Sequence, residues 1–208
     1  MEQGPWTEEN QVGGLLPETD AGCIAPTVML QTDVSHATWS GKPIVLIGLM
    51  GAGKSTVGRR LAQRLHLPFV DADCEIEAAA GMTIPEIFDK FGEPHFRDGE
   101  RRVLARLIDD TTPKVIATGG GAFLNDETRA LILERTLAIW LDAEPHVLAE
   151  RVSRRDSRPL LRDRDPIEVL TELARVRNPV YALAPIRVES IAMPHDVTVN
   201  EILKALGL

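Results

Sequence analysis

From residue 42 onward, short apolar runs alternate with longer stretches in which apolar residues recur at helical spacing. The runs lack the in-and-out alternation of half-exposed strands, and continuous runs are typical of parallel strands covered on both faces. They predict five strands, at residues 43–48, 67–73, 114–119, 136–142 and 185–190. After the first run, Val57, Leu61 and Leu65 recur at four-residue steps and predict a helix with one apolar stripe. This alternation favours a mainly parallel sheet with helices on both faces.

Two later helices carry start signals. The segment "NDETRALILERT" begins with Asn125, a side chain suited to capping a helix N-terminus. The segment "PIEVLTELARVRNP" begins with Pro166 and has an acid in its first turn, as helix starts favour. Both segments are therefore predicted as helices that connect successive strands.

The first forty residues break this pattern. They contain six acidic residues, no lysine or arginine, and no sustained hydrophobic period. We predict a flexible acidic extension over residues 1–40 and one folded domain over residues 41–208. Most of the formal net charge of −8 lies in the extension. The nearly balanced remainder lacks the basic face of a nucleic-acid-binding protein.

No stretch approaches the ~20 apolar residues of a membrane-spanning helix. The N-terminus has neither the basic start and apolar core of a secretory signal nor the arginines of a transit peptide. Cys23 and Cys74 have no metal-ligand spacing, so we expect reduced thiols. We expect a cytoplasmic monomer that binds neither membranes nor nucleic acids.

The first glycine-rich segment carries the clearest chemistry. "GLMGAGKS", Gly48 to Ser55, matches G-x-x-x-x-G-K-[ST] in full, directly after a predicted strand and before a predicted helix. Glycines let backbone N–H groups curl around phosphate oxygens, and the helix adds the positive end of its dipole. Lys54 can reach the β- and γ-phosphates, and the Ser55 hydroxyl can ligate Mg²⁺. A chance glycine turn is the alternative, but motif and context together favour a nucleotide-binding loop.

Two carboxylates, Asp71 and Asp73, close the second predicted strand, at the edge of the sheet that faces a phosphate loop in α/β proteins. Two residues apart on one strand, they are expected to point the same way. One is suited to hold Mg²⁺ through water, and the other to orient or deprotonate a substrate hydroxyl. The alternative is that one or both cap the helix predicted by "CEIEAAAG".

Three arginines are candidates for binding an anionic ligand. Arg97 in "FRDGE" precedes Glu100 by three residues and can pair with it on a helix, Arg158 begins "RPLL", and Arg177 lies in "RNPVY". Each alone is typical of a solvated surface residue. Two converging guanidiniums would suit a small carboxylate, but the spacing does not predict that they converge. The three glycines of "VIATGGGAF", Gly119 to Gly121, are by themselves typical of a turn.

Six motifs in this order and at these separations resemble the shikimate kinase family of the aromatic amino-acid pathway. They are "GLMGAGKSTVGRRLA", "DAD", "FRDGE", "ATGGGAF", "RPLL" and "RNPVY", and the resemblance covers about residues 43–208. It implies an α/β, three-layer P-loop NTPase fold with a five-stranded parallel sheet and helices on both faces. A mobile lid would lie at about 152–166 and a substrate-binding helical region at about 74–110. The implied reaction is ATP-dependent phosphorylation of the 3-hydroxyl of shikimate.

The resemblance also implies residue roles. The ATP phosphates would be wrapped by Gly51, Ala52, Gly53, Lys54, Ser55 and Thr56. Mg²⁺ would be bound by Ser55 and, through water, by Asp71. Arg158 would reach ATP from the closing lid, and Arg151 would lie against adenine. Shikimate would be contacted by Asp73, Arg97, Gly120 and Arg177, the two arginines binding its carboxylate. Lys54, Asp73 and Arg158 would carry the catalysis.

The triple glycine takes a second interpretation from this resemblance. Missing side chains would let shikimate lie against bare backbone, with the Gly120 N–H as a donor. The segment "SIAMPHD" near the C-terminus departs from the family pattern, so no adenine contact is assigned near Met193. Two other functions stay open: a gluconate kinase-like enzyme of the same fold, and a catalytically silent nucleotide-binding relative.

Overall fold

The computed structural model of the chain describes residues 39, 41–110, 112–153, 165–190 and 194–208. Nearly all of the extension predicted at residues 1–40 lies outside this part of the chain. So do most of the lid predicted at about 152–166 and its arginine, Arg158. The described part of the chain comprises the sheet, the helices around it and the loops at its carboxyl edge.

Five parallel strands form the centre of the domain. They are β1 (Ile44–Ile47), β2 (Phe69–Asp71), β3 (Val115–Ala117), β4 (Leu137–Asp142) and β5 (Ile186–Glu189). Their order across the sheet is β2-β3-β1-β4-β5, and every neighbouring pair is parallel. Each strand lies inside the apolar run that predicts it, so the five-stranded parallel sheet is confirmed.

Helices connect these strands. They are α1 (Lys54–Leu65), α2 (Ala72–Ala80), α3 (Ile84–Asp109), α4 (Asp126–Arg135), α5 (Pro145–Ser153), α6 (Pro166–Tyr181) and α7 (His195–Ala205). All residues of β1 and β3 are buried. Since successive side chains of a strand point to opposite faces, helices must cover the sheet on both sides. The structure is therefore the predicted three-layer arrangement.

The predicted helix signals have their expected structural roles. Asn125 caps α4 and accepts a hydrogen bond from the Thr128 N–H at 2.9 Å. Pro166 stands at the start of α6, after Asp165, whose carboxylate caps that helix. The stripe of Val57, Leu61 and Leu65 on α1 is buried. Local signals were therefore sufficient to place these helices.

The end of β2 corrects one prediction. The strand stops at Asp71, and Asp73 lies in the first turn of α2 rather than on the strand. Asp71 is the N-cap of α2, and its Oδ1 accepts from the Asp73 N–H at 3.2 Å. A carboxylate that satisfies a free N–H starts the helix earlier than a strand pattern would allow. The prediction that both aspartates share a strand face is wrong, and the capping alternative holds for Asp71.

Helices α2 and α3 occupy the region predicted to bind the acceptor. The second of them is kinked, because Gly92 has a non-helical backbone (φ 80°, ψ 171°) two residues before Pro94. A capping box of Thr83 and Glu86 begins α3, with each side chain bonded to the backbone of the other. The kink separates a short outer segment from the long segment that carries Arg97 and Glu100.

Cys74 lies on α2, and Cys23, the other cysteine of the sequence, lies outside the described residues. The expectation of reduced thiols stays a prediction. Among the helices that the structure describes, none is long and apolar enough to cross a membrane.

Candidate active site

The phosphate loop leaves β1 and ends at the first turn of α1. Gly48, Gly51 and Gly53 all have positive φ, at 137°, 82° and 92°. A Cβ at Gly48 would lie 2.5 Å from the Leu141 carbonyl oxygen, and one at Gly51 would lie 2.9 Å from Val152. Backbone conformation and close packing therefore both require glycine here. The loop presents the open N-terminus of α1, which is a favourable place for an anion.

Lys54 and Ser55 begin α1 beside this loop. The Lys54 Nζ donates to the carbonyls of Gly48 and Leu49 at 2.8 and 2.9 Å, so the ammonium lies over the curled backbone. The Ser55 hydroxyl donates to Asp71 Oδ2 at 2.7 Å. A hydroxyl and a carboxylate oxygen thus lie side by side, and both are ligand types that Mg²⁺ prefers.

This donor set fits a magnesium ion that keeps most of its water. Within the described ranges no three His, Cys, Asp or Glu side chains cluster in a way that would hold a metal. Mg²⁺ is usually bound by one or two protein oxygens together with waters and substrate phosphates, so a dedicated protein cage is not needed. Ser55 and Asp71 are therefore the residues that could hold it.

An open cleft of about 350 Å³ joins the phosphate loop to the end of β3. Its lining contains the loop, both aspartates, the glycines after β3 and residues from the C-terminal part of the chain. These are Met50, Gly51, Gly53, Lys54, Ser55, Thr56, Asp71, Asp73, Thr118, Gly119, Gly120, Arg151, Val152 and His195. The cleft lies at the carboxyl edge of a parallel sheet, where α/β proteins bind ligands.

Asp73 faces the triple glycine turn. A Cβ at Gly119 would lie 2.9 Å from Asp73 Oδ1 and 3.1 Å from Glu100 Oε1, so both carboxylates approach this backbone. Glu100 is only 2% exposed. Burial raises its pKa, the paired Arg97 opposes that rise, and the charges of Asp73 and Glu93 add to it. Two acidic groups are therefore close together at a turn that has no side chains of its own.

Arg97 forms ion pairs with two glutamates near this turn. Its Nη1 pairs with Glu100 Oε2 at 2.7 Å and its Nη2 with Glu93 Oε1 at 3.1 Å. Burial lowers the pKa of Arg97, but the charges and hydrogen bonds of Glu100 and Glu93 outweigh that effect and raise it overall. A Cβ at Gly121 would overlap the guanidinium. Glycine at 121 therefore makes room for the arginine, and the predicted Arg97–Glu100 pairing is present.

Arg177 reaches the same turn from α6. Its Nη1 donates to the Gly120 carbonyl at 3.5 Å, and the Tyr181 hydroxyl donates to the same oxygen. Tyr181 is fully buried, and burial raises its pKa. Arg97 and Arg177 thus contact neighbouring glycines, although they are 80 positions apart in the chain. The structure brings together two guanidiniums whose convergence the spacing alone did not predict.

In the triple glycine, the two positions that have no room for a side chain are those on either side of Gly120. A Cβ at Gly120 would have its nearest neighbour, the Gly48 carbonyl oxygen, at 3.6 Å, which is ordinary contact. Gly119 and Gly121 are the positions where side chains would collide with Asp73, Glu100 and Arg97. The predicted contact between Gly120 and a substrate stays a prediction about the ligand.

A second wall of the cleft comes from α5 and from the segment after β5. Arg151 Nη1 donates to the Gly51 carbonyl at 3.3 Å and to the Ser190 hydroxyl at 2.9 Å. Burial lowers the pKa of Arg151. The predicted adenine-side arginine therefore lies at the rim of the phosphate loop. Arg158, assigned to the lid, lies outside the described residues.

His195 is a cleft residue that the sequence did not indicate. It begins α7, and a Cβ at Gly53 would lie 3.4 Å from its ring. Its Nδ1 is buried and has no hydrogen-bond partner in the described part of the chain. Burial lowers the pKa of His195, the charges of Arg151 and Arg60 lower it further, and Asp196 opposes them. His195 lies in "SIAMPHD", the segment that departs from the family pattern and in which the sequence assigned no contact.

The parallel sheet, the phosphate loop and the Ser55–Asp71 pair are those of a P-loop nucleotide-binding protein. A sequence model described as "Shikimate kinase" matches residues 50–207. The match covers most of the chain and includes both sides of the cleft. The chain belongs to the shikimate kinase family.

Individual relatives agree with the family match. A shikimate kinase of Novosphingobium aromaticivorans is 59% identical over 169 residues, covering 80% of this chain and 88% of the relative. The solved structure of shikimate kinase from Acinetobacter baumannii in complex with shikimate superposes with a TM-score of 0.75 at 37% identity. It covers 79% of this chain and 92% of that one. A gluconokinase from Sinorhizobium meliloti has a TM-score of 0.56 at 22% identity, covering 80% and 92%, and shows a shared fold alone.

Proposed function

We propose that this protein transfers the γ-phosphoryl group of ATP to the 3-hydroxyl of shikimate. The product, shikimate 3-phosphate, would serve aromatic amino-acid biosynthesis. The observation that carries the proposal is one cleft lined both by the phosphate loop and by the Gly119–Gly120 backbone, with Asp73 in its wall. The family match supplies the identity of the acceptor.

The donor half of the cleft would bind the triphosphate. Backbone N–H groups from Gly51 to Thr56 and the dipole of α1 would bind the phosphates, with Lys54 neutralising the transferred group. Mg²⁺ would be bound by Ser55 and, through water, by Asp71, and its charge would offset that of the phosphate oxygens. Phosphoryl transfer depends mainly on positioning and charge neutralisation, and this set of residues can provide both.

The acceptor half would bind and orient shikimate. Arg97 and Arg177 both bring planar guanidiniums to the glycine turn, and a planar fork binds a carboxylate bidentately. Asp73 would accept the hydroxyl proton or orient that hydroxyl toward the phosphate. The Gly120 backbone would support the ring of the substrate. The substrate would explain glycine at 120, whereas Gly119 and Gly121 make room for Asp73, Glu100 and Arg97.

Two further arginines would complete the nucleotide site. Arg151 lies beside the phosphate loop, where its guanidinium can cover the adenine ring. Arg158 would approach the phosphates as residues 152–166 close over the cleft. Closure of such a segment would exclude water, which would otherwise compete with shikimate as the acceptor.

A coupled assay tests the function directly. Purified full-length protein with ATP and Mg²⁺ is offered shikimate, gluconate or a nucleoside monophosphate, and ADP release is measured. We expect turnover with shikimate alone. Release of ADP with gluconate and none with shikimate would refute the proposal in favour of the gluconate kinase-like alternative. The gluconokinase likeness shows the fold alone and does not favour that outcome.

A matched pair of lysine variants tests whether the protein is catalytically silent. Lys54→Met should abolish turnover because the Lys54 ammonium lies over the loop and is the side chain proposed to neutralise the transferred phosphate. Lys204→Met removes a lysine that is 80% exposed on α7 and should leave turnover unchanged. An equal, low ADP release from wild type and Lys54→Met would identify the silent relative.

Two finer proposals concern conditions and assembly. Chelation of Mg²⁺ by EDTA should stop turnover, and added MgCl₂ should restore it, because the ion that Ser55 and Asp71 would bind supplies positive charge that neither side chain has. We also propose that the protein acts as a monomer in the cytoplasm. Light scattering on the full chain tests the monomer, and a mass near twice 22.8 kDa would contradict it.

A further inference from the structure

A buried hydroxyl connects the end of β5 to the phosphate loop. Ser190 directly follows β5 and is only 1% exposed. Its backbone N–H donates to the Asp142 carbonyl at 2.6 Å, which extends the pairing with β4. Its Oγ donates to the Ala52 carbonyl at 2.9 Å and accepts from Arg151 Nη1 at 2.9 Å. Its single proton and one lone pair are therefore both used.

The bond to Ala52 determines how one peptide group of the loop is oriented. In a planar trans peptide the C=O of one residue and the N–H of the next point in opposite directions. Because Ser190 binds the Ala52 carbonyl, the Gly53 N–H points away from Ser190. Gly53 lines the cleft, and its φ of 92° is open to only a few residue types. The hydroxyl thus favours one of the orientations that a flexible glycine peptide can adopt.

The hydrogen bond from Arg151 to the Ser190 hydroxyl holds the arginine side chain in place. Its Nη1 is shared between the Ser190 hydroxyl and the Gly51 carbonyl, so the guanidinium is held against the outer side of the loop. Arginine side chains otherwise keep considerable rotamer freedom, and ordering one on ligand binding would weaken affinity. Ser190 thus contacts both a phosphate-side peptide and the arginine at the rim.

We propose that Ser190 is a positioning residue for the nucleotide. Its hydroxyl holds the Ala52–Gly53 peptide with the N–H directed to the phosphates and holds Arg151 at the rim of the same site. The inference rests on the proposed nucleotide site. It does not depend on the acceptor, because within the described ranges Ser190 makes no hydrogen bond to the glycine turn after β3.

The test compares Ser190→Ala with Ser190→Thr and Thr136→Val. Thr136 also has a buried hydroxyl, which donates to the Ile132 carbonyl at 2.6 Å far from the cleft, so its removal is a matched control for lost stability. The measurements are the Kd of ADP with Mg²⁺ by calorimetry, the KM of ATP and of shikimate, and the Tm.

Ser190→Ala should raise the Kd of ADP and the KM of ATP about tenfold, the usual scale for a buried group that loses its partner. The KM of shikimate should change less than about twofold. Ser190→Thr keeps the hydroxyl and should restore ADP affinity. Thr136→Val should lower the Tm with ADP affinity unchanged.

Three results would overturn the proposal: normal ADP affinity in Ser190→Ala, equal weakening of both substrates, or the same ADP defect in Thr136→Val. If Ser190→Ala does not fold, Ser190→Thr is compared with Ser190→Val, because these two side chains differ only by a hydroxyl in place of a methyl group. Equal ADP affinity in these two variants would also refute the proposal. A wild-type protein that binds ADP but does not phosphorylate shikimate would refute the proposed function and leave this inference standing.

Discussion

At the residue scale, Arg97 is held by two carboxylates of very different burial. The Glu100 side chain is 3% exposed, whereas that of Glu93 is 63% exposed. Exposed ion pairs contribute little, whereas a charge that loses a buried partner is strongly destabilised. The orientation of the guanidinium toward Gly121 should therefore depend on Glu100.

The two glutamates give a matched pair of variants. Glu100→Gln should raise the KM of shikimate at least about tenfold, because Arg97 loses its buried anionic partner. The KM of ATP should stay near normal. Glu93→Gln should change the KM of shikimate less than about twofold. Steady-state kinetics on both variants measure this, and equal effects would show that burial does not decide the orientation of Arg97.

The glycine turn offers a second residue-scale prediction. Gly121→Ala should lower both the Tm and the affinity for shikimate, because the new methyl group displaces the Arg97 guanidinium. Gly120→Ala should keep the Tm, because its Cβ has ordinary contacts, and should weaken shikimate alone. Thermal unfolding with shikimate titrations separates the two. Normal shikimate binding in Gly120→Ala would show that Gly120 only forms a turn and does not contact the substrate.

At the element scale, helix α7 brings a histidine to the phosphate loop. The folded state lowers the pKa of His195 below the value of the unfolded chain, chiefly by burial. At a pH between the two values the unfolded chain binds more protons, so stability increases with pH in that window. Stability should accordingly fall as the pH decreases through about 6.5 and below.

This pH dependence can be measured with two histidine variants. His195→Phe keeps a ring of similar shape and cannot be protonated, so its free energy of unfolding should fall less than that of wild type between pH 7.5 and 5.0. His146→Phe alters an exposed histidine on α5 and should keep the wild-type profile. Urea unfolding at each pH supplies the values. A His195→Phe profile parallel to wild type would contradict the lowered pKa.

The boundary between β2 and α2 shows where sequence patterns fail. A strand of three residues, Phe69–Asp71, is too short to show a period, and its last residue is also a helix cap. Asp71 therefore ends the apolar run that predicts a strand, and its carboxylate is also suited to cap the start of a helix. The cap prevails because it satisfies a backbone N–H. Asp73 consequently reaches the cleft from a helix turn and not from a strand.

At the scale of the whole molecule, the sequence was sufficient for the sheet and for the phosphate loop. Five continuous apolar runs and one complete motif are local signals, and each is present in the structure where the pattern placed it. The contact between Arg177 and Gly120 joins positions 57 apart and depends on how α6 packs beside the sheet. Ser190 and His195 lie in no motif, and the role of Tyr181, the last residue of "RNPVY", was not predicted, because these roles arise from what the residues contact in the fold.

Ligand binding supplies a prediction for the whole molecule. ADP with Mg²⁺ at about 100 times its Kd should stabilise the folded state by about 2.7 kcal/mol. For a domain of this size the Tm should then rise by roughly 5–10 °C. Differential scanning fluorimetry with and without EDTA measures the shift. An equal shift in Lys54→Met would show that the ligand stabilises the protein from outside the proposed phosphate site.

Asp71 connects the two halves of the cleft. One of its carboxylate oxygens binds the Ser55 hydroxyl at the start of α1, and the other binds the Asp73 N–H at the start of α2. Thermal displacement of either helix start is therefore transmitted to the other through one rigid, planar group. The separation between the reacting atoms should fluctuate less than the absolute position of either one. For the proposed in-line transfer, this coupling would help to keep the two reactants aligned.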